Sequence, residues 1–380
     1  MMTVSMTEKN VNAGGTDRHI PVLLEPVLDA LLNEDGHSSE GRQGYLKKGD
    51  KKAQPDQMSS SDEDKTQSSQ KLIFIDGTFG AGGYSRGILN SLKDKCDVRV
   101  IGIDQDPDAV RDARGMLREF GPKLDVVHGR YSEMEDVVSG LGVSEVDGVV
   151  LDIGVSSMQL DQDERGFSFL REGPLDMRMS QSGPTAADLV NGLAEEEIAN
   201  VLYQFGEEKK SRYIARAIVE RRASEPFRTT TDLAQVIESV VYKKAKDKIH
   251  PATRSFQALR IYLNDELGEL LRGLNAASRI LKPGGRLVVV CFHSLEDRIV
   301  KNYLRAASGR VPNQSRHLPE INKESFPSFQ IINPKAVKAN DEEMSRNKRA
   351  RSAILRSGVR TEAPPLEFFE ADLGVKSLQL

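Results

Sequence analysis

Phe74-Ile-Asp-Gly-Thr-Phe-Gly-Ala-Gly-Gly83 is the stretch on which the fold turns. The run Leu72-Ile-Phe-Ile75 is short and wholly apolar, as a strand buried on both faces must be. It ends in an acid, Asp76, and the chain then turns through Gly77, Gly80, Gly82 and Gly83 into a helix expected from about Ser85. Glycines are required where a backbone bends sharply and where a ligand must touch main chain. Working outward, Arg99-Val-Ile-Gly-Ile103 reads as a second strand with a helix from about Pro107, and Asp125 to His128 as a short third. Asp147-Gly-Val-Val-Leu151 is a fourth. Strands alternating with helices at this spacing predict an α/β fold, a Rossmann-like, doubly wound and mostly parallel sheet.

The alternation then stops. From Thr185 to Val241 the pattern is helical, with Ile198, Val201, Leu202 and Phe205 on one stripe and Ile214, Ala217 and Ile218 on another. It resumes with one long helix expected from about Pro251 to Leu281, the turn Lys282-Pro-Gly-Gly285, and a strand from Arg286 to Phe292. The economical reading is one α/β domain, residues 19–161 plus 251–360, carrying an inserted all-helical domain at 162–250. His19 to Leu32 is expected to be helical, with Pro21 in the first turn and Leu24, Val27, Leu28 and Leu31 on one face. Residues 1–18 read as a flexible tail and 361–380 as a C-terminal tail. Residues 35–70 hold seven serines, charges of both signs and little to bury, so they are expected to be a disordered insertion.

No apolar run, Leu287 to Phe292 included, is long enough to cross a bilayer, so no membrane partner is expected. Two cysteines, Cys96 and Cys291, suit a reducing compartment. The N-terminus has neither an apolar signal core nor an arginine-rich leader, which favours a bacterial cytoplasm over an organellar matrix. Net charge is −4, yet residues 205–260 hold 13 Lys or Arg against 7 Asp or Glu. A local balance of +6 on an acidic chain is a footprint for nucleic acid, with a solvated helical face as the bland alternative.

The glycine loop fails the dinucleotide pattern, because Ser85 stands where G-x-G-x-x-G needs its third glycine. That weakens a nicotinamide-dependent dehydrogenase. A carboxylate ahead of the loop also sits badly beside a pyrophosphate, and well beside an ammonium and a sulfonium such as S-adenosylmethionine carries. Asp104, 28 residues beyond Asp76, ends the second strand, where an acid accepts hydrogen bonds from ribose hydroxyls. Tyr131 follows the third strand, where an aromatic can cover an adenine. Asp152 ends the fourth, at the edge where open α/β sheets bind ligands. Taken singly, each has a bland alternative in packing or capping. Together they call for one cofactor in one crevice, with Asp76, Gly80, Gly82, Gly83, Asp104, Tyr131 and Asp152 around it.

Further motifs are Asp152-Ile-Gly-Val-Ser-Ser-Met-Gln-Leu-Asp161, Glu164-Arg-Gly-Phe167, Gly173-Pro-Leu-Asp-Met-Arg-Met179 and His293-Ser-Leu-Glu-Asp-Arg298. With Tyr203-Gln-Phe-Gly-Glu-Glu208, His250-Pro-Ala-Thr-Arg254 and Phe256-Gln-Ala-Leu-Arg-Ile261, they resemble the RsmH (MraW) family of 16S ribosomal RNA cytosine-N4 methyltransferases. The resemblance runs from His19 to Ser352 outside the insertion. It implies a class I methyltransferase fold and N4-methylation of a cytidine in the decoding region of small-subunit rRNA. Cofactor contacts would be Gly82, Gly83, Tyr84, Asp104, Tyr131, Asp152 and Gln159. Many members carry His at the position of Tyr84 and Phe at that of Tyr131, and only a short connection where this chain has 35–70.

Cytosine N4 is a poor nucleophile because its lone pair is delocalised, so acceptors must turn that pair toward the methyl carbon. Asp152, Ser156, Ser157 and His293 are the candidates, with a structural helix-start histidine as the alternative for His293. Asp176 and Arg178 read as an ion pair shaping a loop. Lys209, Lys210, Arg212, Arg216, Arg221, Arg222 and Arg254 are expected to hold RNA phosphate, with a second basic stretch from Pro334 to Arg356. No metal is expected. The expected partner is rRNA or an assembled small subunit, and a homodimer is left open. The rivals are a methyltransferase for another RNA or DNA base, and a non-catalytic RNA-binding assembly factor that retains the cofactor.

Overall fold

The computed structural model describes residues 21–33, 71–242, 249–310 and 326–375, apart from the side chain of Ser157. The expected tail at 1–18 and disordered insertion at 35–70 lie outside the described residues, except that Lys71 onward begins the sheet.

Among the described residues, eight strands form one sheet: β1 (Leu72–Asp76), β2 (Val98–Asp104), β3 (Leu124–His128), β4 (Val146–Asp152), β5 (Leu281–Cys291), β6 (Phe329–Ile331), β7 (Val337–Lys338) and β8 (Ile354–Arg360). Their order is β3-β2-β1-β4-β5-β8-β6, with β7 also on β8. The first five are parallel and β8 runs antiparallel to β5. This is the doubly wound, mostly parallel sheet that the sequence predicts. Six of the seven residues of β4 are buried, Val146 to Leu151, which is why that run is continuously apolar apart from Asp147. That exception ties strands together. Asp147 Oδ2 accepts from the Ile73 backbone at 2.8 Å, and Lys282 Nζ donates to both carboxylate oxygens at 3.0 and 3.1 Å. The starts of β1, β4 and β5 thus meet at one buried charge.

Two apolar layers cover the sheet. One face packs Val27, Leu31, Ile88, Leu92 and Met116 from the helices Leu24–Leu32, Gly83–Leu92 and Arg114–Phe120. On the other, the helices of the inserted segment (Ala186–Gly192, Glu195–Gly206, Ser211–Arg222, Thr230–Val240) share a continuous core with Thr253–Asn264, Glu266–Ile280 and Ser294–Ala307.

Several expectations need correction. The first helix starts at Leu24, not in the turn holding Pro21, because Leu23 has φ 54° and breaks the helical path. The single helix expected over 251–281 is two helices, broken at Asp265 in the left-handed conformation (φ 51°). The cause is Asn264. Its side chain donates to Met177 O and Arg260 O and accepts from Met179 N, all at 2.9 Å, pulling the backbone toward the inserted loop. The basic stretch 334–356 supplies an antiparallel sheet edge, and its Arg356 is paired with Asp297 at 2.6 Å. Residues 361–375 are not a loose tail: Phe368 packs edge-on against Tyr303, and Leu373 is buried. Among the described residues, no helix is long and apolar enough to cross a membrane.

Replacing Lys282 by Met keeps the apolar stem but removes the ammonium that meets both Asp147 oxygens. We expect a loss of about 3 kcal/mol in urea unfolding, the cost of breaking a buried ion pair. A change below about 0.5 kcal/mol, the scatter of a neutral surface change, would mean that the charge is not holding the strand ends.

Candidate active site

At the C-terminal ends of the strands, where the order reverses between β1 and β4, the sheet opens into a cavity of ≈ 330 Å³. A crevice at this switch point is where open parallel sheets bind ligands. The expected residues Gly80, Gly83, Tyr84, Asp104, Tyr131, Asp152, Ser156, Gln159 and His293 line it. Asp76 and Gly82 do not. Asp76 lies beneath the loop, fully buried, and accepts from Ser85 N and Ser85 Oγ at 3.1 and 2.7 Å. Ser85, which spoiled the dinucleotide pattern, thus has a local role. Gly82 adopts φ 75° and turns its back on the cavity, against Phe79 and Met116.

Three carboxylates end three adjacent strands here. Asp104 accepts from the backbone N–H groups of Gly80 (2.7 Å) and Asp106 (2.8 Å), so the glycine loop is docked on the end of β2. Burial nevertheless pushes its pKa up to about 6, against the pull of those two donors. Asp76 is pushed up to about 6 as well, by burial, with Ser85 opposing. Asp152 is raised well above the usual carboxylate range, by burial and then by the charges of Asp76 and Glu296. Among the described residues, eight buried side-chain polar atoms have no hydrogen-bond partner, and they include Asp76 Oδ1, Gln105 Oε1, Asp152 Oδ1, His293 Nε2 and Glu296 Oε1. Gln105, Asp152 and His293 line the cavity, while Asp76 and Glu296 act electrostatically on Asp152. Buried polar groups without partners are costly, and their gathering around one cavity marks a ligand site.

His293 begins the helix Ser294–Ala307. Its Nδ1 accepts from Glu296 N at 3.4 Å, while Glu296 Oε2 accepts from the Phe292 and His293 backbones at 2.8 and 3.1 Å. His293 Nε2 stands 2.9 Å from Glu296 Oε1, too oblique for a hydrogen bond. Glu296 is fully buried, but His293, Arg260 and the Phe292 N–H outweigh that burial and hold its pKa below the usual range. The structural reading of His293 and the functional one therefore coexist: Nδ1 caps the helix, Nε2 stands against Glu296, and the residue lines the cavity. Ser156 Oγ and Gln159 cap the helix Ser157–Asp161 reciprocally, and Gln159 Nε2 also donates to Asp106 at 2.9 Å. Both therefore shape the wall from within. The Ser157 side chain lies outside the described residues.

Tyr131 is set by groups that no local motif announces. Glu269 accepts from Ser132 N and Ser132 Oγ, both at 2.9 Å, fixing the turn that carries the ring. Gly273 lies against that ring so closely that a Cβ there would fall 2.3 Å from Tyr131 Cδ2. Tyr84 donates to Val22 O at 2.5 Å and thereby brings the N-terminal segment over the cavity. Sequence reasoning also missed Gln257, Arg260, Asn264 and Glu266, which reach the cavity from either side of the break at Asp265. Arg260 grips Glu266 through both oxygens at 2.7 and 2.8 Å. Glu266, His293 and Glu296 bring one ligand atom each within 4.8 Å of one another, a spacing that could hold a cation, although Arg260 already neutralises Glu266. The signal available in the sequence was the polar i, i+3, i+7 row of Gln257, Arg260 and Asn264.

The roof is the loop between β4 and the helical segment. Asp106 is almost fully buried and receives Gln159 Nε2 (2.9 Å), Arg165 Nη1 (2.7 Å) and Gln181 Nε2 (3.0 Å). Arg165 goes on to donate to Arg178 O and Met179 O at 3.0 and 3.2 Å. The Arg178 guanidinium clasps Asp176 at 2.7 and 2.9 Å, as the ion-pair reading of that motif expects.

Of the seven expected phosphate-binding residues, Lys209, Lys210, Arg212, Arg216 and Arg254 are exposed. Arg216 pairs with Glu220 at 2.9 Å, and Lys210 Nζ donates to Val240 O at 2.8 Å. Arg221 and Arg222 are half-buried and engaged inside the protein. Arg221 pairs with Asp232 at 2.9 Å, and Arg222 donates to Val190 O and Leu193 O at 2.7 and 2.8 Å.

Comparison with known proteins points the same way as the crevice. The model of the MraW methylase family matches residues 16–361. The ribosomal RNA small subunit methyltransferase H of Rhodospirillum rubrum is 55% identical over 296 residues, covering 77% of this chain and 89% of that one. The protein of the same name from Methylorubrum populi is 54% identical over 348 residues, 91% of this chain and 88% of its own. That from Parvibaculum lavamentivorans is 48% identical over 360 residues, 95% and 94%.

Two outcomes test the geometry. Gly273→Ala should displace the Tyr131 ring and weaken S-adenosylmethionine binding on the order of tenfold by calorimetry. Unchanged affinity would mean that the ring is not part of the cofactor wall. The second concerns pH. A carboxyl whose pKa is raised on folding favours the protonated protein, so Asp104 and Asp76 stabilise it less as pH rises through about 6. A ligand that hydrogen-bonds the Asp104 carboxylate needs the ionised form. Affinity should therefore fall about tenfold per pH unit below 6, and Asp104→Asn should weaken binding and flatten that dependence.

Proposed function

Because the chain belongs to the MraW methylase family, we propose that it transfers a methyl group from S-adenosylmethionine to N4 of a cytidine in the decoding region of small-subunit ribosomal RNA. The observation that carries this reading is the half-buried Asp152 carboxyl, which lines the cavity with its Oδ1 shielded from solvent and unpartnered. Such an acceptor is costly in an empty site and useful beside an exocyclic amine.

When bound, S-adenosylmethionine supplies a methyl carbon made electrophilic by its sulfonium. The cofactor contacts we propose are Gly80, Gly83, Tyr84, Asp104 and Tyr131, with Gln159 shaping the wall. Asp104 has two backbone donors and retains acceptor capacity for ribose hydroxyls. A cation entering beside Asp152 and Asp76 would relieve the like-charge burial that raises both pKa values. On the acceptor side, Asp152 takes a hydrogen bond from the cytosine amine and turns its lone pair out of the ring. Once methylated by the bound cofactor, the amine would have one proton to give up. A carboxylate with a raised pKa is suited to take it. His293, on the cavity wall, is a second polar contact for the base.

The target base must leave its stack to reach this depth, so the roof over 162–181 and the helical segment are the surfaces that would meet RNA. Lys209, Arg212, Arg216 and Arg254 are exposed and available to phosphate, whereas Arg221 and Arg222 serve the fold. Ribosomal RNA as substrate puts the enzyme where small subunits are assembled, the cytoplasm in a bacterium.

The test is tritium transfer from labelled cofactor to unmodified small subunits, followed by nucleoside analysis. N4-methylcytidine is expected, and label on another base or on ribose would refute the cytosine-N4 reading. Asp152→Ala should lower turnover by about 10²–10⁴, the range of an acid–base group. Asp152→Asn keeps an acceptor in place and should lose less. The wild-type rate should fall on the acid side at a pH above the usual carboxylate range, since the ionised form works, and that limb should vanish in Asp152→Asn. Variants with wild-type turnover would remove Asp152 from the chemistry.

A further inference from the structure

A second cavity, ≈ 440 Å³, opens beside the first. Its floor is apolar, from Leu267, Leu295 and Leu373, and its rim carries Lys209, Arg254 and Arg298 with one carboxylate, Glu207. Glu207 organises that rim. Its Oε1 accepts from Arg298 Nη2 at 3.2 Å and its backbone carbonyl from Arg254 Nη1 at 3.5 Å, so two guanidinium groups converge and three cations still outnumber one acid. Tyr203, 58% exposed, stands at the same opening.

The two cavities share two walls. The helix Thr253–Asn264 presents Arg254 to the second cavity and Gln257 to the first, about 4.5 Å apart along its axis. The helix Ser294–Ala307 is preceded by His293 in the first cavity and places Leu295 and Arg298, two and five residues on, in the second. An apolar floor, an exposed aromatic ring and a converging basic rim complement a base and its phosphate. Their position suits a group joined to whatever occupies the first cavity.

We propose that the second cavity receives a nucleotide flanking the target cytidine, its base laid against Tyr203 over the apolar floor and its phosphate held by Arg254, Arg298 and Lys209. This rests on the reading of the first cavity as the methyl-transfer site for an RNA base. It adds a device for keeping the target extruded: a neighbour held in its own pocket cannot restack over the vacated position. Glu207 is a positioning residue here, setting the two arginines without touching RNA.

The experiment is steady-state methyl transfer by the full-length protein to unmodified small ribosomal subunits, with Tyr203→Leu, Tyr203→Phe and the double variant Arg254→Gln, Arg298→Gln. Tyr203→Leu should raise KM for subunits roughly tenfold, the scale of one lost stacking contact, while Tyr203→Phe keeps the ring and stays near wild type. The double variant should raise KM and make the salt dependence of log(kcat/KM) shallower by about 1.4, two single-strand phosphate contacts. S-adenosylmethionine affinity and Tm should stay at wild-type values, since these side chains lie on the surface. KM within twofold of wild type in both Tyr203→Leu and the double variant would overturn the pocket while leaving the methyl-transfer reading intact. So would equal impairment in Tyr203→Phe and Tyr203→Leu, which would assign the effect to the hydroxyl. Wild-type protein that fails to label small subunits would overturn both, and is seen before any variant is compared.

Discussion

Three carboxylates, the buried Asp76 and the half-buried Asp104 and Asp152, stand at the ends of three adjacent strands, and the rest of the site is arranged around the cost of keeping them there. A buried acid must be hydrogen-bonded, paired or protonated. Each of the three meets that demand differently. Asp104 takes two backbone N–H groups, Asp76 takes Ser85, and Asp152 keeps one oxygen without a partner. The glycine loop is therefore more than a place for a ligand to touch main chain. By donating from Gly80 to Asp104 it fixes the spacing between the ends of β1 and β2, and with it the width of the crevice.

The same economy governs the roof. Asp106, two residues beyond Asp104, is a fourth acid and a buried one, and here the answer is pairing: Arg165, Gln159 and Gln181 all donate to it. One carboxylate at the end of β2 thereby orders a loop that begins at the end of β4, and Asn264 fastens the far side of that loop to the break between two helices. The polar residues on the first of those helices, Gln257 and Arg260, are carried to the cavity by the same break. Cofactor wall, roof and acceptor wall are thus mechanically one unit, so a change at Asn264 or Arg165 reaches the site without touching a ligand.

Charge on the outer surface has two distinct uses. Arg221 and Arg222 cap carbonyls and Arg221 also pairs with Asp232, work that any helical bundle needs. Arg254 and Arg298 are gathered by Glu207 at the rim of a cavity with an apolar floor. A count of basic residues along the chain cannot separate these, because the distinction lies in which carbonyl or carboxylate each guanidinium meets after folding.

The alternation of apolar strands with helices and the acid at the end of each strand were legible because both are local patterns. A strand buried on both faces has to be continuously apolar, and a ligand-facing acid has to stand at its end, so Leu72–Asp76, Val98–Asp104 and Val146–Asp152 announced themselves. The doubly wound, mostly parallel sheet followed from that alternation, whereas the order β3-β2-β1-β4-β5 is a fact of the folded chain. What the chain did not disclose is everything set by contacts distant in sequence. The helix expected over 251–281 breaks because Asn264 bonds to Met177 and Met179, more than 80 residues away. The tail packs because Tyr303 offers Phe368 a partner, and Gln159 and Ser156 turn inward because a helix start needs capping. Local pattern determines which elements form and where a ligand-facing group can stand. Only tertiary packing decides whether such a group is left free for a ligand or taken up by a neighbour, since that depends on which donors the folded chain brings within 3 Å.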